Sequence, residues 1–390
     1  MCIRDRILYV VSRPLEINTS ASIRNRATIL GLVENGHTVD LFTTEPDRNH
    51  SAYDESLVPE GIKVKYVRLG GTQNLARVGR KMKLLRPIKG FVYKWMNRHE
   101  VYDNLKGIIN HISDIDLRTE KYDVIISSSD PKSSHLFVER LLEKEKEFFK
   151  GRWIQIWGDP FLGDITRTDK KNLEIITKEE RRLLNGADKI VYVSKLTKKE
   201  QQKLYPESKD KMSYYPIPYM NENIYQLRDL KSVPTVELAY CGDYNIEVRN
   251  ILPLYKAVTA MNNVHLTICG GSNKPVESCE NVTVYGRVPF ETVREIEGKA
   301  DVLVHLSNLS GSQIPGKIYQ YSGTNKPVLF ILDGEIEQVK EQFSKYERYY
   351  FAVNNELEIE KSITEISNLN CDYKPVSDFS KKKISENILD

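Results

Sequence analysis

Residues 310–327 combine glycines and polar side chains in a way that suits the binding of a phosphate group. The segment (SGSQIPGKIYQYSGTNKP) lies between two apolar runs, so we expect a strand, a loop, a short helix and a second strand. Pro315 is favoured in the first turn of a helix, where its missing N–H needs no partner, and Gly323 is favoured at the C-terminal cap. Free N–H groups at a helix start attract phosphate, and Lys317 adds a positive charge beside them. An ordinary capped helix between two core strands is the alternative interpretation.

The same segment resembles the donor-binding segment of family 4 glycosyltransferases, which have the GT-B fold. In those proteins a Pro-Gly/Ser-Lys sequence opens the helix and a Gly-x-Lys-Pro sequence follows it. Many members carry two glutamates eight positions apart, and these positions correspond here to Ser312 and Gln320. Gln320 can still form hydrogen bonds with ribose hydroxyls. The resemblance implies that the donor contacts Ser312, Gln313, Ile314, Pro315, Gly316, Lys317 and Gln320.

Length and composition predict a protein of two globular domains. The chain has 390 residues, of which 40% are hydrophobic and 28% are charged. That length exceeds what one hydrophobic core usually serves. No apolar run approaches the roughly 20 residues that span a bilayer, and no secretory signal is apparent, so we expect a cytoplasmic protein. The net charge of only +3 gives little support to a nucleic-acid partner.

Cysteine and aspartate spacing predicts neither a disulfide nor a metal site. The five cysteines show no paired metal-ligand spacing. The one D-x-D sequence, at residues 114–116, follows a helix-like stretch rather than an apolar strand. We therefore predict no metal and no cofactor beyond the substrate.

Two successive series of apolar strands predict an α/β protein with two doubly wound parallel sheets. Helix-like stretches separate most of the strands, which is typical of parallel sheets covered on both faces. The predicted strands are 7–11, 39–43, 64–67, 124–127, 153–157 and 190–193, then 236–241, 264–269, 282–285, 302–306, 328–332 and 349–353. We predict a first Rossmann-like domain over 1–215, a linker over 216–234, a second Rossmann-like domain over 235–375, and a segment over 376–390 that returns to the first domain. Ligands collect at the carboxyl ends of such strands, so two facing domains predict a cleft between them.

The first half offers candidates for binding an acceptor. Ser129 ends a strand, where small polar residues leave room for a ligand. The sequence at 153–161 resembles the family's strand that ends in Arg-Asp-Pro-Trp, with Gly158 in the place of the arginine. The resemblance puts Asp159 at the cleft, as a general base or as an orienter of the acceptor hydroxyl. A turn residue before proline is the alternative for Asp159.

The first predicted helix adds further acceptor candidates. Arg13 follows the first strand, and Ser22 and Arg24 lie near the start of the helix. Both arginines could contact an anionic acceptor, although exposed arginines near a helix start are also common as solvated surface.

The second half offers candidates for holding the donor. Gly242 and Asp243 follow one strand, Gly270 and Gly271 follow the next, and each of these loops resembles the family's donor domain. Arg249 is the candidate that meets the diphosphate, because a guanidinium matches two phosphate oxygens at once. The resemblance also implies that Arg287 and Val288 border the nucleotide base.

Residues 77–98 form a basic segment without acidic side chains, interleaved with aromatic and aliphatic ones. This pattern predicts peripheral contact with an anionic membrane, where a lipid-linked acceptor would be found. Contact with RNA and a solvated basic helix are the alternatives.

Together these features predict transfer of a hexose from a uridine or guanosine diphosphate sugar to the hydroxyl of a glycan or lipid-linked acceptor. The resemblance implies retention of the anomeric configuration, with Lys317, Arg249 and Asp159 as catalytic residues. It also implies a role in the synthesis of a surface polysaccharide or glycolipid. A sugar-nucleotide 2-epimerase and a non-catalytic nucleotide-sugar-binding subunit are the alternatives.

Overall fold

A computed structural model describes residues 4–70, 101–164, 172–369 and 372–390. The chain divides into two compact units, Met1–Pro216 with Lys381–Asp390, and Ile217–Ser380. Residues 217–234, which we predicted as part of a linker, belong to the second unit. The basic segment 77–98, for which we predicted membrane contact, lies outside the described residues.

The first unit contains a parallel sheet of seven strands. Its strands are β1 Arg6–Val10, β2 Thr38–Thr44, β3 Lys63–Val67, β4 Val124–Ser128, β5 Arg152–Trp157, β6 Lys189–Tyr192 and β7 Met212–Tyr214. The strand order is β3-β2-β1-β4-β5-β6-β7, so the direction of winding reverses between β1 and β4. The central strands β1, β4 and β5 are almost wholly buried, which matches their continuous apolar sequences.

Helices connect most of these strands. The helices are α1 Ser20–Glu34, α2 Ser133–Glu145, α3 Leu173–Gly186 and α4 Lys195–Leu204, and shorter 3-10 segments cover Glu55–Leu57, Lys106–Asp114 and Pro206–Lys211. The hydroxyl of Thr19 caps α1 by accepting from Ser22 N at 3.2 Å.

The second unit repeats the architecture with a parallel sheet of six strands. Its strands are β8 Val236–Cys241, β9 Val264–Cys269, β10 Val282–Tyr285, β11 Val302–Leu306, β12 Val328–Leu332 and β13 Tyr349–Val353. The order is β10-β9-β8-β11-β12-β13, so the winding reverses between β8 and β11. The helices are α5 Leu252–Thr259, α6 Phe290–Lys299, α7 Lys317–Tyr321, α8 Ile336–Phe343 and α9 Glu356–Ser367, with a 3-10 segment at Ser377–Phe379. The predicted fold class, two α/β domains with parallel sheets, is confirmed.

The last helix, α10 (Lys381–Leu389), packs on α1 within the first unit. The two helices approach closely at Gly31, where a Cβ atom would lie 2.1 Å from Lys381 O. Asn35 Nδ2 donates to Lys382 O at 2.9 Å, and Arg152 Nη2 donates to Leu389 O at 2.6 Å. The C-terminal helix is therefore tied to its unit by backbone carbonyls as well as by apolar packing.

Candidate functional site

The carboxylate of Asp243 joins three loops at the carboxyl edge of the second sheet. Its Oδ1 accepts from Gly271 N, after β9, at 2.7 Å and from Arg287 Nε, after β10, at 3.1 Å. Arg287 Nη2 donates to Oδ2, so the two groups pair along one edge. Gly242, beside Asp243, donates its N–H to Cys269 O at 2.8 Å. Four of the predicted donor-binding residues thus lie together in one hydrogen-bonded group: Gly242, Asp243, Gly271 and Arg287.

Arg249 lies where the winding of the second sheet reverses. Its Nε and Nη2 donate to Asn308 Oδ1 at 3.2 and 3.0 Å, and its Nη1 donates to Asp243 O at 2.8 Å. Asn308 follows β11, is only 6% exposed, and donates its Nδ2 to Gln313 O at 2.9 Å. The buried amide of Asn308 therefore links Arg249, which we predicted to bind the diphosphate, to the predicted donor segment. Sequence analysis missed Asn308, although a polar residue just after a buried strand was the available signal.

Gly270 allows the loops after β8 and β9 to approach each other. Its φ is +154°, and a Cβ atom would lie 2.1 Å from Gly242 O. A side chain here would separate the loops that carry Asp243 and Gly271. Val288, on the loop after β10, is half-buried next to Arg287.

The predicted donor segment forms a loop followed by the five-residue helix α7. Gly316 is the N-cap, so Pro315 precedes the helix instead of lying in its first turn. Ile318 N donates to Pro315 O at 3.4 Å. Ser312 is buried, and Gln313, Ile314, Pro315 and Gly316 are half-buried.

Lys317 forms an ion pair with Glu297 of α6. The Nζ–Oε1 distance is 2.6 Å, Glu297 is 8% exposed, and the ammonium also lies 5.5 Å from the centre of the Tyr321 ring. Burial lowers the pKa of Lys317, but Glu297 outweighs this and the pKa is raised, so the amine stays cationic. A phosphate would have to share this cation with a carboxylate.

Gln320 is bonded to the backbone of the segment that enters the second unit. Its Oε1 accepts from Met220 N at 3.0 Å and its Nε2 donates to Pro218 O at 3.1 Å. These bonds need one acceptor and one donor, which an amide supplies and a carboxylate does not. The difference from the family's glutamate at this position therefore has a structural explanation.

In the first unit, the loops after β4 and β5 bring several charged side chains together around Asp159. Lys132 is 7% exposed, pairs with Asp130, and lies 3.3 Å from Asp164 Oδ2. Burial lowers the pKa of Lys132, but the surrounding carboxylates outweigh it and the pKa is raised. Of these charged groups we predicted only Asp159 and Arg24 from the sequence, because nothing in the spacing marks Asp130, Lys132 and Asp164 as their neighbours.

These surroundings change the protonation of Asp159. Burial and the negative charge of Asp130 raise the pKa of Asp159 to about 7, against the opposing charge of Lys132. A carboxyl group that titrates near neutral pH can hold or release a proton under ordinary conditions. Such a group is chemically suited to exchange a proton with an acceptor hydroxyl.

Arg24 is buried next to this cluster instead of lying in solvent. It is 5% exposed, and its Nη2 lies 3.4 Å from Ser128 Oγ. Its guanidinium fills the space beside Gly158, where a Cβ atom would lie 2.2 Å from Arg24 Nη1. Its positive charge acts on Asp159 and lowers the proton affinity of that carboxylate.

The other acceptor candidates have mainly structural contacts. Ser22 Oγ donates to Ile17 O at 2.7 Å, within the cap of α1. Ser129 is fully buried, and its Oγ accepts from Gly158 N at 3.0 Å. Arg13 is half-buried after β1.

Among the described residues, no group of three or more His, Cys, Asp or Glu side chains is arranged to hold a metal ion. In the D-x-D sequence, Asp114 pairs with His111 at 2.9 Å and Asp116 with Arg118 at 2.9 Å. No helix in the described ranges has the length and apolar character that crossing a bilayer requires.

Comparison of the sequence with protein-family models and with curated proteins finds no match. Solved structures do match over nearly the whole chain. The lipopolysaccharide outer core galactosyltransferase WaaB, in its apo form, is 13% identical, with 98% of each chain covered and a TM-score of 0.60. HepE from Anabaena, in complex with UDP-glucose, is 10% identical, with 99% of this chain and 98% of that chain covered and a TM-score of 0.60.

A third match is the sucrose-phosphate synthase of Thermosynechococcus elongatus. It is 16% identical, with 99% of this chain and 94% of that chain covered and a TM-score of 0.56. Identities this low establish the fold and leave the reaction open. The chain therefore has the GT-B fold, with two Rossmann-like α/β domains.

Proposed function

We propose that this chain is a glycosyltransferase that moves a sugar from a nucleoside diphosphate sugar to an acceptor hydroxyl. The observation that carries the proposal is the position of Arg249, at the carboxyl end of β8 and at the switch point between β8 and β11. Open α/β sheets bind their ligands at such a point. The likeness to HepE in complex with UDP-glucose makes a uridine diphosphate sugar our first choice of donor.

Arg249 is preorganised to receive a diphosphate. A guanidinium has five N–H donors, and Arg249 uses one on each nitrogen for Asn308 and Asp243 within the described residues. The guanidinium also interacts with the Tyr240 hydroxyl, so protein groups hold it from more than one loop. Because protein contacts already fix the side chain, it can meet the charge that develops on the leaving diphosphate without reorganising.

In this proposal Asp159 serves the acceptor side of the reaction. A carboxyl group with a pKa near neutrality can orient the acceptor hydroxyl and take up its proton. We further propose retention of the anomeric configuration, no metal requirement, and an acceptor that is a glycan or a lipid-linked saccharide at the cytoplasmic membrane surface. The family resemblance supports retention, the spacing of the cysteines and aspartates supports the lack of a metal requirement, and the basic segment 77–98 supports a membrane-surface acceptor.

Calorimetry with UDP and GDP in a buffer that contains EDTA tests the donor site. Arg249→Ala should weaken nucleotide binding ten- to a hundredfold, since a hydrogen bond to a charged group is worth about 1.5–3 kcal/mol. Arg294→Ala is the matched control, because Arg294 is an exposed arginine of the same unit that pairs with Glu291 on its own helix at 3.6 Å. Unchanged affinity in Arg249→Ala, or binding that needs added Mg²⁺, would contradict the proposal.

A non-catalytic nucleotide-sugar-binding subunit is the second candidate function. The bonds of Gln320 to Met220 and Pro218 favour it, because they occupy a side chain that stands where relatives carry a glutamate. The two candidates differ in turnover. An enzyme incubated with UDP-sugars and a panel of saccharide acceptors releases UDP, whereas a binding subunit retains the intact donor.

A further inference from the structure

We propose that Glu180 is a positioning residue that holds the Asp159 loop in place from the adjacent helix α3. The inference rests on the proposed role of Asp159 and extends it to a second carboxylate, which does not touch substrate. The loop in question, residues 158–164, follows β5 directly.

Glu180 accepts hydrogen bonds from two successive backbone N–H groups of this loop. Its Oε1 accepts from Phe161 N at 2.6 Å, and its Oε2 accepts from Leu162 N at 3.0 Å and from Tyr205 OH at 2.8 Å. The side chain is fully buried. Burial raises the pKa of Glu180, while its three hydrogen bonds oppose this change.

Asp159 lies between two fixed points of the chain. On one side, Gly158 N donates to Ser129 Oγ at 3.0 Å. On the other side, Phe161 and Leu162 are bound by Glu180, and the Phe161 ring packs against Tyr102 with 5.2 Å between ring centres. Pro160, between them, has a fixed φ and no N–H to bond. The backbone on both sides of Asp159 is therefore restrained.

A carboxylate is the side chain that this arrangement requires. Two adjacent N–H groups need two acceptors, and buried N–H groups without partners are costly. An apolar residue offers none, and a glutamine offers one acceptor together with an NH₂ group that would oppose the second N–H. Burying a carboxylate is itself unfavourable, so its presence here is explained by the conformation that it imposes on the loop.

The restraint determines which charges face Asp159. These are Arg24 on α1, Asp130 and Lys132 on the loop after β4, and Asp164 on its own loop. The groups that face Glu180 are Lys132, Tyr192 and Tyr205. If the loop loosens, Asp159 gains water and moves away from the neighbouring carboxylates. Its titration midpoint then falls towards that of an ordinary aspartate.

The test is a ¹³C NMR titration of the full chain labelled at its aspartate carboxyl groups, with Asp159→Asn used to assign the Asp159 signal. Wild-type Asp159 should titrate near pH 7. In Glu180→Asp, which keeps the charge and shortens the side chain, the midpoint should fall by about one pH unit or more. Tyr205→Phe is the matched control, because it removes one bond to Glu180 without touching the loop, and its midpoint should stay within about 0.3 pH units.

A folded Glu180→Asp variant with the wild-type midpoint overturns the inference. If that variant does not fold, Glu180→Gln is measured in its place, with the same criterion. If neither folds, Glu180 acts in general stability and the positioning role is refuted. The readout needs no sugar substrate, so its failure is distinct from failure of the proposed function, which would appear as no release of UDP by the wild-type chain from UDP-sugars and saccharide acceptors.

Discussion

Replacing Lys317 by methionine should destabilise the second unit, because it leaves the carboxylate of Glu297 buried without its cation. The pair is close, at 2.6 Å, and the side chains of Lys317 and Glu297 are 27% and 10% exposed. Breaking a fully buried ion pair costs about 3–5 kcal/mol, and the partial exposure of Lys317 lowers our expectation to about 3 kcal/mol. For a unit of this size the melting temperature should fall by about 6–12 °C.

The double variant Lys317→Met/Glu297→Gln should recover most of that loss. A neutral amide removes the unpaired charge, so we expect stability within about 1 kcal/mol of wild type. Urea unfolding and calorimetry, compared through a double-mutant cycle, measure the coupling between the two residues. The control is Lys299→Met, because Lys299 is an exposed lysine of α6, the helix that carries Glu297. This substitution should change stability by less than about 0.5 kcal/mol.

The pH dependence gives a second check on the same pair. Because the pKa of Lys317 is raised in the folded state, its contribution is complete below the ordinary lysine pKa and is lost only as the pH rises through the folded value. The difference between wild type and Lys317→Met should therefore be constant from about pH 6 to pH 9. A loss below about 1 kcal/mol in the single variant, or a double variant no more stable than the single one, would refute this reasoning.

Once stability is restored in the double variant, nucleotide binding can be measured without interference from unfolding. If Lys317 contributes to a phosphate site, the double variant should bind UDP more weakly than wild type although it is equally folded. If the pair is purely structural, the affinity for UDP is retained, and the positive charge that binds the donor phosphates comes from Arg249 and not from Lys317.

Two glycine substitutions test the close approaches in each unit. Gly31→Ala places a Cβ atom 2.1 Å from Lys381 O and should cost about 1–3 kcal/mol in urea unfolding, because α10 must move. Gly270→Ala places one 2.1 Å from Gly242 O and should weaken UDP binding in calorimetry by disturbing the bonded group around Asp243. Wild-type stability in the first variant, or wild-type affinity in the second, would contradict the corresponding packing argument.

The alternation of strands and helices was predictable because both sheets are parallel and buried on both faces. Strands such as β1, β4 and β12 appear in the sequence as continuous apolar runs, and their ends are marked by serine, glycine or aspartate. Asp243, Gly271 and Arg287, which the family resemblance marked as donor ligands, lie together because the carboxyl ends of parallel strands share one edge.

The partners of the charged side chains were not predictable, because they come from elements distant in sequence. Glu297 lies on α6, and nothing in its local pattern indicates that it pairs with Lys317, which follows β11 in the sequence. Gln320 resembled a ribose ligand at the right helical position, but its amide serves two backbone groups a hundred residues earlier. Periodicity specifies the face on which a residue lies and not the atom that it contacts.

At Gly158 a cation from another element lies where the sequences that this segment resembles carry an arginine. In the family sequences that this segment resembles, an arginine occupies the position that is Gly158 in this chain. In the structure, the guanidinium of Arg24, from α1, occupies the space beside Gly158 that any Cβ atom would need. The cation next to Asp159 is therefore supplied from a different element, and glycine is required at 158 because the side chain of Arg24 enters there.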